Sequence, residues 1–214
     1  MSFVNFKIAY AYTMISHLKK DTLLKTVLDT VVLPEGRRVD DLYLTILESI
    51  VSQQLSIKAA DTIFKRFLQL FENQYPLPEV LIHMEAQVLR KVGLSSQKSG
   101  YLQNVAHFHM SKGLSLDIID AMSDEEVIAY LTQIKGVGRW TAEMLLMFAL
   151  QRQDIMPVDD LGIQQAMSRL YDIDAKGNAL KKKMLEIAEV WRPYRTVACK
   201  YLWKWKDQSK VREG

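Results

Sequence analysis

Residues 133–165 read QIKGVGRWTAEMLLMFALQRQDIMPVDDLGIQQ, and this stretch contains the strongest indications of the fold. The Gly-Val-Gly at residues 136–138 allows the chain to reverse between two helices with its backbone N–H groups exposed. Residues 139–152 contain no Gly or Pro and repeat apolar residues at helical spacing, which predicts a helix. The N-terminal amides of that helix would face the turn and attract an anion. The pattern therefore predicts a helical hairpin suited to binding a phosphate.

Two adjacent aspartates stand where the next helix, residues 161–171, is predicted to begin. Pro157 gives the chain a rigid approach to Asp159 and Asp160. Taken singly, a Gly-x-Gly between helices is usually only a turn, and aspartates before a helix are usually N-caps. Neither feature on its own therefore predicts a function.

The rest of the chain is predicted to be all-α, with about ten helices and short loops. Ser123 and Glu126 have the spacing of a capping box, and Asp21 is placed to cap a short helix over residues 23–31. Asp40 or Asp41 can cap the helix that follows. No segment alternates polar and apolar residues over the length of a strand.

Composition indicates an ordinary soluble globular protein, with 49% hydrophobic and 25% charged residues in 214. The net charge of +3 is weak, but residues 176–214 hold 11 lysines and arginines against 4 acidic residues. The single cysteine, Cys199, excludes an intramolecular disulfide and is expected to be a packed thiol. No apolar run reaches ~20 residues and no secretory pattern opens the chain. We therefore expect a cytoplasmic protein, or a nuclear one if the source is eukaryotic.

The segments IKGVGRWTAEM, PVDDLGI and WRPYRTVACKYLW resemble the helix-hairpin-helix DNA glycosylase superfamily, and within it the DNA-3-methyladenine glycosylase II family. The resemblance extends from about residue 17 to residue 205. It implies two helical lobes with the active site in the cleft between them. Residues 36–150 would form the hairpin lobe, and residues 1–35 with 151–214 the other lobe of a single glycosylase domain.

The resemblance also implies the residues that carry out the reaction. A carboxylate would stabilise the positive charge that develops on the sugar as the base leaves, and Asp160 fits the family register for it. Asp159 is the competing candidate, which would otherwise cap the helix at Leu161 or line the pocket. Strand-nicking relatives carry a lysine where this chain has Trp140, so a monofunctional enzyme without AP lyase activity is predicted. Trp140 and Trp203 are expected to stack on the flipped base, whereas core packing is expected for the two remaining tryptophans, Trp191 and Trp205.

Further residues are implied to contact DNA or a cation. They fall into three groups: Gln53, Gln54 and Leu55 as the segment that fills the gap left by the flipped base; the backbone N–H groups of Gly136, Gly138 and Arg139 on a phosphate; and carbonyls near Thr132, Ile134 and Val137 around a structural monovalent cation, Na⁺ or K⁺. No cofactor is expected for catalysis. Lys181 to Lys183, Arg192 and Arg195 could add a salt-dependent contribution to DNA binding.

The sequence therefore predicts a monomeric DNA glycosylase that flips out alkylated bases such as 3-methyladenine from duplex DNA and hydrolyses their N-glycosidic bond in base excision repair. Two alternatives stay open. One is a helix-hairpin-helix module that binds DNA without catalysis, and the other is a glycosylase for another base lesion.

Overall fold

The computed structural model describes residues 3–212, with side chains described for residues 11–208. Over residues 3–212 the secondary structure is helical and contains no β-strand, as the sequence predicts. Among the described helices, none combines the length and the apolar character needed to cross a bilayer. The α-helices are α1 (Phe3–Leu18), α2 (Thr22–Leu28), α3 (Leu42–Ser52), α4 (Ile57–Leu68), α5 (Pro78–Leu81), α6 (Ala86–Lys91), α7 (Ser96–Lys112), α8 (Leu116–Asp120), α9 (Asp124–Leu131), α10 (Arg139–Met144), α11 (Leu161–Tyr171), α12 (Gly177–Ala188) and α13 (Arg195–Arg212).

The chain divides into two compact units. The first unit is discontinuous and comprises residues 1–36 and 151–214, while the second is the uninterrupted segment 37–150. The first unit therefore holds α1, α2 and α11 to α13, and the second holds α3 to α10.

The second unit is built around α3 and α7. Asp41 caps α3 by accepting a hydrogen bond from Leu44 N–H, and Ser95 caps α7 through Lys98 N–H. Apolar residues repeat at helical spacing along both helices, so each presents one buried face. Helix α4 packs on α3, and α5 and α6 pack on α7. This core supports the loop after α3 and the hairpin between α9 and α10.

The helix that enters the hairpin begins with the predicted capping box. The Ser123 side chain accepts a bond from Glu126 N–H, and the Glu126 carboxylate accepts one from Ser123 N–H at 2.7 Å. The hydrogen bonds from Ser123 lower the pKa of the Glu126 carboxyl from its ordinary value. The start of α9, the helix that leads into the hairpin, is therefore fixed by local bonds.

A half-buried carboxylate, that of Asp21, joins three segments of the first unit. Asp21 caps α2 through the N–H groups of Leu23 and Leu24, as predicted. Its Oδ2 also accepts hydrogen bonds from the Tyr171 hydroxyl at 2.7 Å and from the Trp191 indole N–H at 2.9 Å. Asp21 thus links α2 to α11 and to the turn that follows α12.

Two predicted helix ends were wrong. The helix predicted over residues 139–152 is α-helical only to Met144, continues as a π-helical turn over Leu145–Ala149, and ends at Leu150. It ends there because Gln151 adopts a left-handed φ of 56°, which a helix cannot continue through. The helix predicted over residues 23–31 ends at Leu28, where Asp29 forms the C-cap.

The cysteine and two of the tryptophans are predicted to pack in the core. Cys199 is buried beside the Met156 sulfur at 3.6 Å, as expected for a packed thiol. Trp191 is fully buried, also as expected. Core packing is not confirmed for Trp205, which is partly exposed and has the Arg169 guanidinium over its ring at 5.3 Å from the centroid.

Candidate functional site

Asp160 is a buried carboxylate at the start of a helix. It is 8% exposed and forms the N-cap of α11, with Oδ1 accepting a hydrogen bond from Ile163 N–H at 2.8 Å. The same oxygen accepts a second bond from the Trp203 indole N–H at 2.7 Å. Both bonds fix the orientation of the carboxylate, which lies at the end of α11 where the N-terminal amides are. The structure thus brings together two of the residues predicted for the site.

The close approach of Trp203 to Asp160 depends on Gly162. A Cβ at position 162 would lie 2.8 Å from Trp203 Nε1 and 3.0 Å from Asp160 Oδ1. Any side chain there would push the indole away, since such separations are essentially never seen for a Cβ. Glycine in the first turn of α11 is therefore required by the Trp203 ring.

Asp159 has a different environment from its neighbour. Asp160 N–H bonds to Pro157 O at 3.0 Å, which forms a tight turn and directs the Asp159 side chain outward. Asp159 is exposed and forms a salt bridge with Lys181. The expectation that Asp159 would cap the helix at Leu161 is therefore wrong, because the cap is Asp160.

Trp140 lies at a pocket in the second unit. Its side chain is 46% exposed at the start of α10. The pocket has a volume of about 550 Å³, which exceeds what one purine needs. It is lined by Ser49, Ser52, Gln53, Gln54, Trp140, Thr141 and Met144. A second hollow of about 270 Å³ shares Ser49, Ser52 and Met144 with it. A flat ring could enter here against the exposed indole.

The two glycines of the hairpin are required for different reasons. Gly136 has a φ of 110°, and a Cβ there would lie 2.4 Å from the Tyr101 ring. Its conformation and its packing both exclude a side chain. Gly138 has a φ of −88° and would place a Cβ in open space, with no atom within 4 Å. Nothing within the described chain demands a glycine at 138, so its backbone is left open to an approaching ligand.

The Arg139 guanidinium forms ion pairs within the protein. Its guanidinium pairs with both carboxylate oxygens of Glu125, at 2.7 and 3.1 Å, and with Glu143 Oε1 at 3.0 Å. The hydrogen bonds from Glu125 are the main cause of the raised pKa of Arg139. The guanidinium therefore joins α9 to α10, and only the backbone N–H of Arg139 is placed for the predicted phosphate contact.

The residues predicted to hold a cation lie around one depression of about 560 Å³, which we call the hairpin depression. Thr132, Ile134 and Val137 line it together with Gly136 and Gly138. The Ile134 carbonyl accepts a hydrogen bond from Val137 N–H at 2.9 Å, and its second lone pair could still coordinate a cation. Carbonyl oxygens are suitable ligands for a hard monovalent cation, so the residues fit the group.

The loop after α3 lies next to the hairpin. Gln53 and Gln54 line both the hairpin depression and the Trp140 pocket. Gln53 Nε2 donates a hydrogen bond to Gly136 O at 3.3 Å. Gln54 has a left-handed φ of 59°, and Leu55 is 40% exposed. The structure therefore brings the predicted gap-filling segment together with the predicted phosphate-binding turn.

Part of the basic surface near the C-terminus is paired within the protein. Arg195 bonds Asp154 through Nε at 2.7 Å and has a side chain only 12% exposed. Arg192 pairs with Asp154 and Glu189. These two arginines anchor the loop that leads to Asp160, so the DNA contribution expected of their charges is not supported by the structure.

Several residues around the site were not found from the sequence. Gly162 could have been suspected, since a glycine in a helix is costly unless something packs against it. Lys98, Tyr101 and Glu125 carry no sequence signal, because their contacts join segments that are distant along the chain.

Comparison with known proteins gives a family match. Residues 47–193 match the family described as HhH-GPD superfamily base excision DNA repair protein. DNA-3-methyladenine glycosylase 1 of Schizosaccharomyces pombe is 42% identical over 168 residues, which cover 76% of this chain and 71% of that protein.

Solved structures agree with this match. The S. pombe 3-methyladenine DNA glycosylase Mag1, in complex with abasic DNA, superposes with a TM-score of 0.76 at 35% identity, covering 90% of this chain and 95% of that one. The DNA-3-methyladenine glycosidase of Bacillus halodurans gives a TM-score of 0.79 at 35% identity, covering 91% and 89%.

Proposed function

The chain belongs to the HhH-GPD superfamily of base excision DNA repair proteins, and we propose that it is a DNA glycosylase that hydrolyses the N-glycosidic bond of alkylated bases such as 3-methyladenine. The names of its relatives support this substrate class. The observation that carries the proposal is the buried Asp160 carboxylate, held by the Trp203 indole N–H. We expect a monomer that acts on duplex DNA, in the cytoplasm or in the nucleus of a eukaryote.

Asp160 supplies the charge that the reaction needs. As the base leaves, positive charge builds on the sugar, and a carboxylate at the anomeric carbon stabilises it. The bonds from Ile163 and Trp203 hold Asp160 in one orientation, so little reorganisation accompanies the reaction. Asp160 also orients, or takes a proton from, the water that attacks the sugar. Asp159 is less suited because it is exposed and paired with Lys181.

The enzyme is monofunctional in this proposal. Trp140 occupies the hairpin position at which strand-nicking relatives carry a lysine, and an indole cannot form a Schiff base. Water therefore attacks the sugar, and the product is an intact strand with an abasic site.

The damaged base is recognised outside the helix. An electron-poor alkylated purine stacks on an electron-rich indole more favourably than an ordinary base, by roughly 0.5 to 2 kcal/mol. Trp140 offers such a surface at its pocket. Trp203 contributes a second ring while its N–H holds Asp160. Gln54 and Leu55 fill the gap that the base leaves.

A phosphate is bound by the hairpin in a contact that carries no sequence information. Gly138 is the main support, since its open backbone has no reason within the described chain to lack a side chain. In this proposal the backbone N–H groups of Gly136, Gly138 and Arg139 donate hydrogen bonds to the phosphate. The carbonyls of Thr132, Ile134 and Val137 would hold a structural monovalent cation that adds positive charge beside the phosphate.

The test is release of 3-methyladenine from methylated duplex DNA by the wild type, Asp160→Asn and Asp159→Asn. We expect Asp160→Asn to lose activity by at least roughly 100-fold and Asp159→Asn to retain most of it. Strands should break only after alkali treatment, because the product is an abasic site.

Three results would contradict the proposal in different ways. Salt-dependent DNA binding without base release would favour a non-catalytic binding module. Release of oxidised or deaminated bases alone would indicate another lesion. Strand breaks before alkali treatment would show lyase activity.

A further inference from the structure

Lys98 makes an unusual pair of contacts at the end of α3. Its Nζ donates hydrogen bonds to Val51 O and to Gln53 O, each at 2.7 Å. The lysine comes from the first turn of α7, so it joins two helices that are about 45 residues apart along the chain. Its positive charge lies at the C-terminus of α3, where carbonyl groups lack helical partners.

Removing the Lys98 ammonium from water to make this contact costs free energy. Partial burial lowers the pKa of the Lys98 ammonium from its ordinary 10.5, because desolvation disfavours the charged form. A solvated lysine elsewhere on the surface would avoid this cost. The two charge-assisted bonds offset it and fix the backbone on both sides of Ser52.

The clamped backbone leads directly into a strained residue. Gln54 follows Gln53 with a φ of 59°, a conformation that costs a non-glycine residue about 1 kcal/mol and persists only where neighbours hold it. Gln53 is held twice, by Lys98 at its carbonyl and by Gly136 at its side chain. Leu55 and Ile57 then extend outward, 40% and 90% exposed.

We propose that Lys98 is a positioning residue for base flipping, which holds the loop of residues 53–56 in the conformation that enters DNA. The role rests on the proposed function. By fixing Gln53 against the Gly136 carbonyl, Lys98 also keeps this loop in register with the phosphate-binding hairpin. A phosphate bound at the hairpin then determines the position at which Gln54 and Leu55 enter the base stack.

The consequence is a defect that depends on the substrate. Displacing a paired base costs unstacking and unpairing energy, whereas an unpaired base needs little help to leave the stack. A loosened loop should therefore slow excision of a paired lesion and leave excision of an unpaired lesion almost unchanged. A residue needed only for folding would affect both substrates alike.

The experiment compares single-turnover excision of 3-methyladenine from a fully paired duplex and from a duplex with the lesion in a small unpaired bubble. Lys98→Met removes the donors and keeps the chain length, Lys98→Arg restores N–H donors, and Lys91→Met removes an exposed charge from the same unit as a control. We expect Lys98→Met to slow the paired substrate roughly 10- to 100-fold and the bubble substrate less than about threefold. Lys98→Arg should recover most of the loss, and Lys91→Met should match the wild type.

Equal slowing of both substrates by Lys98→Met, with no recovery in Lys98→Arg, would overturn the proposal in favour of a purely structural role. Unchanged excision of the paired substrate would overturn it as well. A wild type that excises neither substrate would refute the proposed function, and with it this role for Lys98.

Discussion

Replacing Gly162 by alanine adds one methyl group at the point where Trp203 meets Asp160. The new Cβ would lie 2.8 Å from Trp203 Nε1, 2.9 Å from Cδ1 and 3.0 Å from Asp160 Oδ1. The φ of Gly162 is not in the left-handed region, so alanine does not strain the backbone. The effect therefore comes from the contacts of the new methyl group with the Trp203 indole and the Asp160 carboxylate.

The size of the effect follows from these distances. Ordinary contacts between carbon atoms are about 3.5 to 4.0 Å, so the indole must retreat by roughly 0.5 to 1 Å. The Trp203–Asp160 hydrogen bond, now 2.7 Å, would then lengthen to roughly 3.2 to 3.7 Å, where it is weakened or lost. We expect destabilisation of roughly 1 to 3 kcal/mol and a loss of base release of roughly 10- to 100-fold, since misplacing a reacting group by about 1 Å has that cost.

The assay pairs base release from methylated duplex DNA under single-turnover conditions with urea unfolding. Gly100→Ala is the matched control, because Gly100 lies within α7 and a Cβ there meets no atom within 4 Å. That variant should keep its activity and be equally or slightly more stable, as alanine favours helix over glycine. Wild-type activity in Gly162→Ala would show that the Trp203–Asp160 bond does not contribute to the reaction.

Two further predictions concern the hairpin and the first unit. Gly138→Ala should lower the unfolding midpoint only slightly, because alanine is a poorer N-cap than glycine, and should weaken DNA binding roughly tenfold. Gly136→Ala should lower stability more, because its Cβ would overlap Tyr101. Equal DNA affinity of Gly138→Ala and wild type, measured by fluorescence anisotropy, would remove the support for the phosphate contact. Asp21→Ala should cost about 2 to 4 kcal/mol in urea unfolding, since it leaves two part-buried donors and a helix start without their acceptor. The exposed Asp29→Ala should change little, and a similarly small loss in Asp21→Ala would contradict the reasoning.

Helix boundaries were predictable where a local bond sets them. Leu161–Tyr171 has the predicted limits, and the capping box of Ser123 and Glu126 is present, because both depend on neighbouring residues alone. The π-helical turn at Leu145–Ala149 was not predictable, since apolar spacing is similar in α- and π-turns over so short a run. The apolar pattern also predicts a final helix over residues 196–205, whereas α13 spans Arg195–Arg212. Its last seven residues were not predictable because the lysines and polar residues there follow no apolar stripe.

The site was predictable as a set of residues but not as a set of contacts. Spacing and resemblance singled out Asp160 and Trp203, yet only the structure shows the hydrogen bond between them. Lys98 could not have been found, because its partners are main-chain carbonyls and any residue supplies those. Arg139 was expected beside a phosphate, and its pairing with Glu125 depends on a helix packing that sequence does not encode locally.

The discontinuity of the first unit affects how the protein is made. Residues 37–150 form one uninterrupted unit, which can fold as soon as it leaves the ribosome. Residues 1–36 must wait for residues 151–214, and at typical translation rates the delay is on the order of 10 s. The hairpin is therefore complete while the surroundings of Asp160 are still being synthesised. We expect a nascent chain whose residues up to 150 have emerged from the ribosome to present a folded hairpin before Asp160 has emerged.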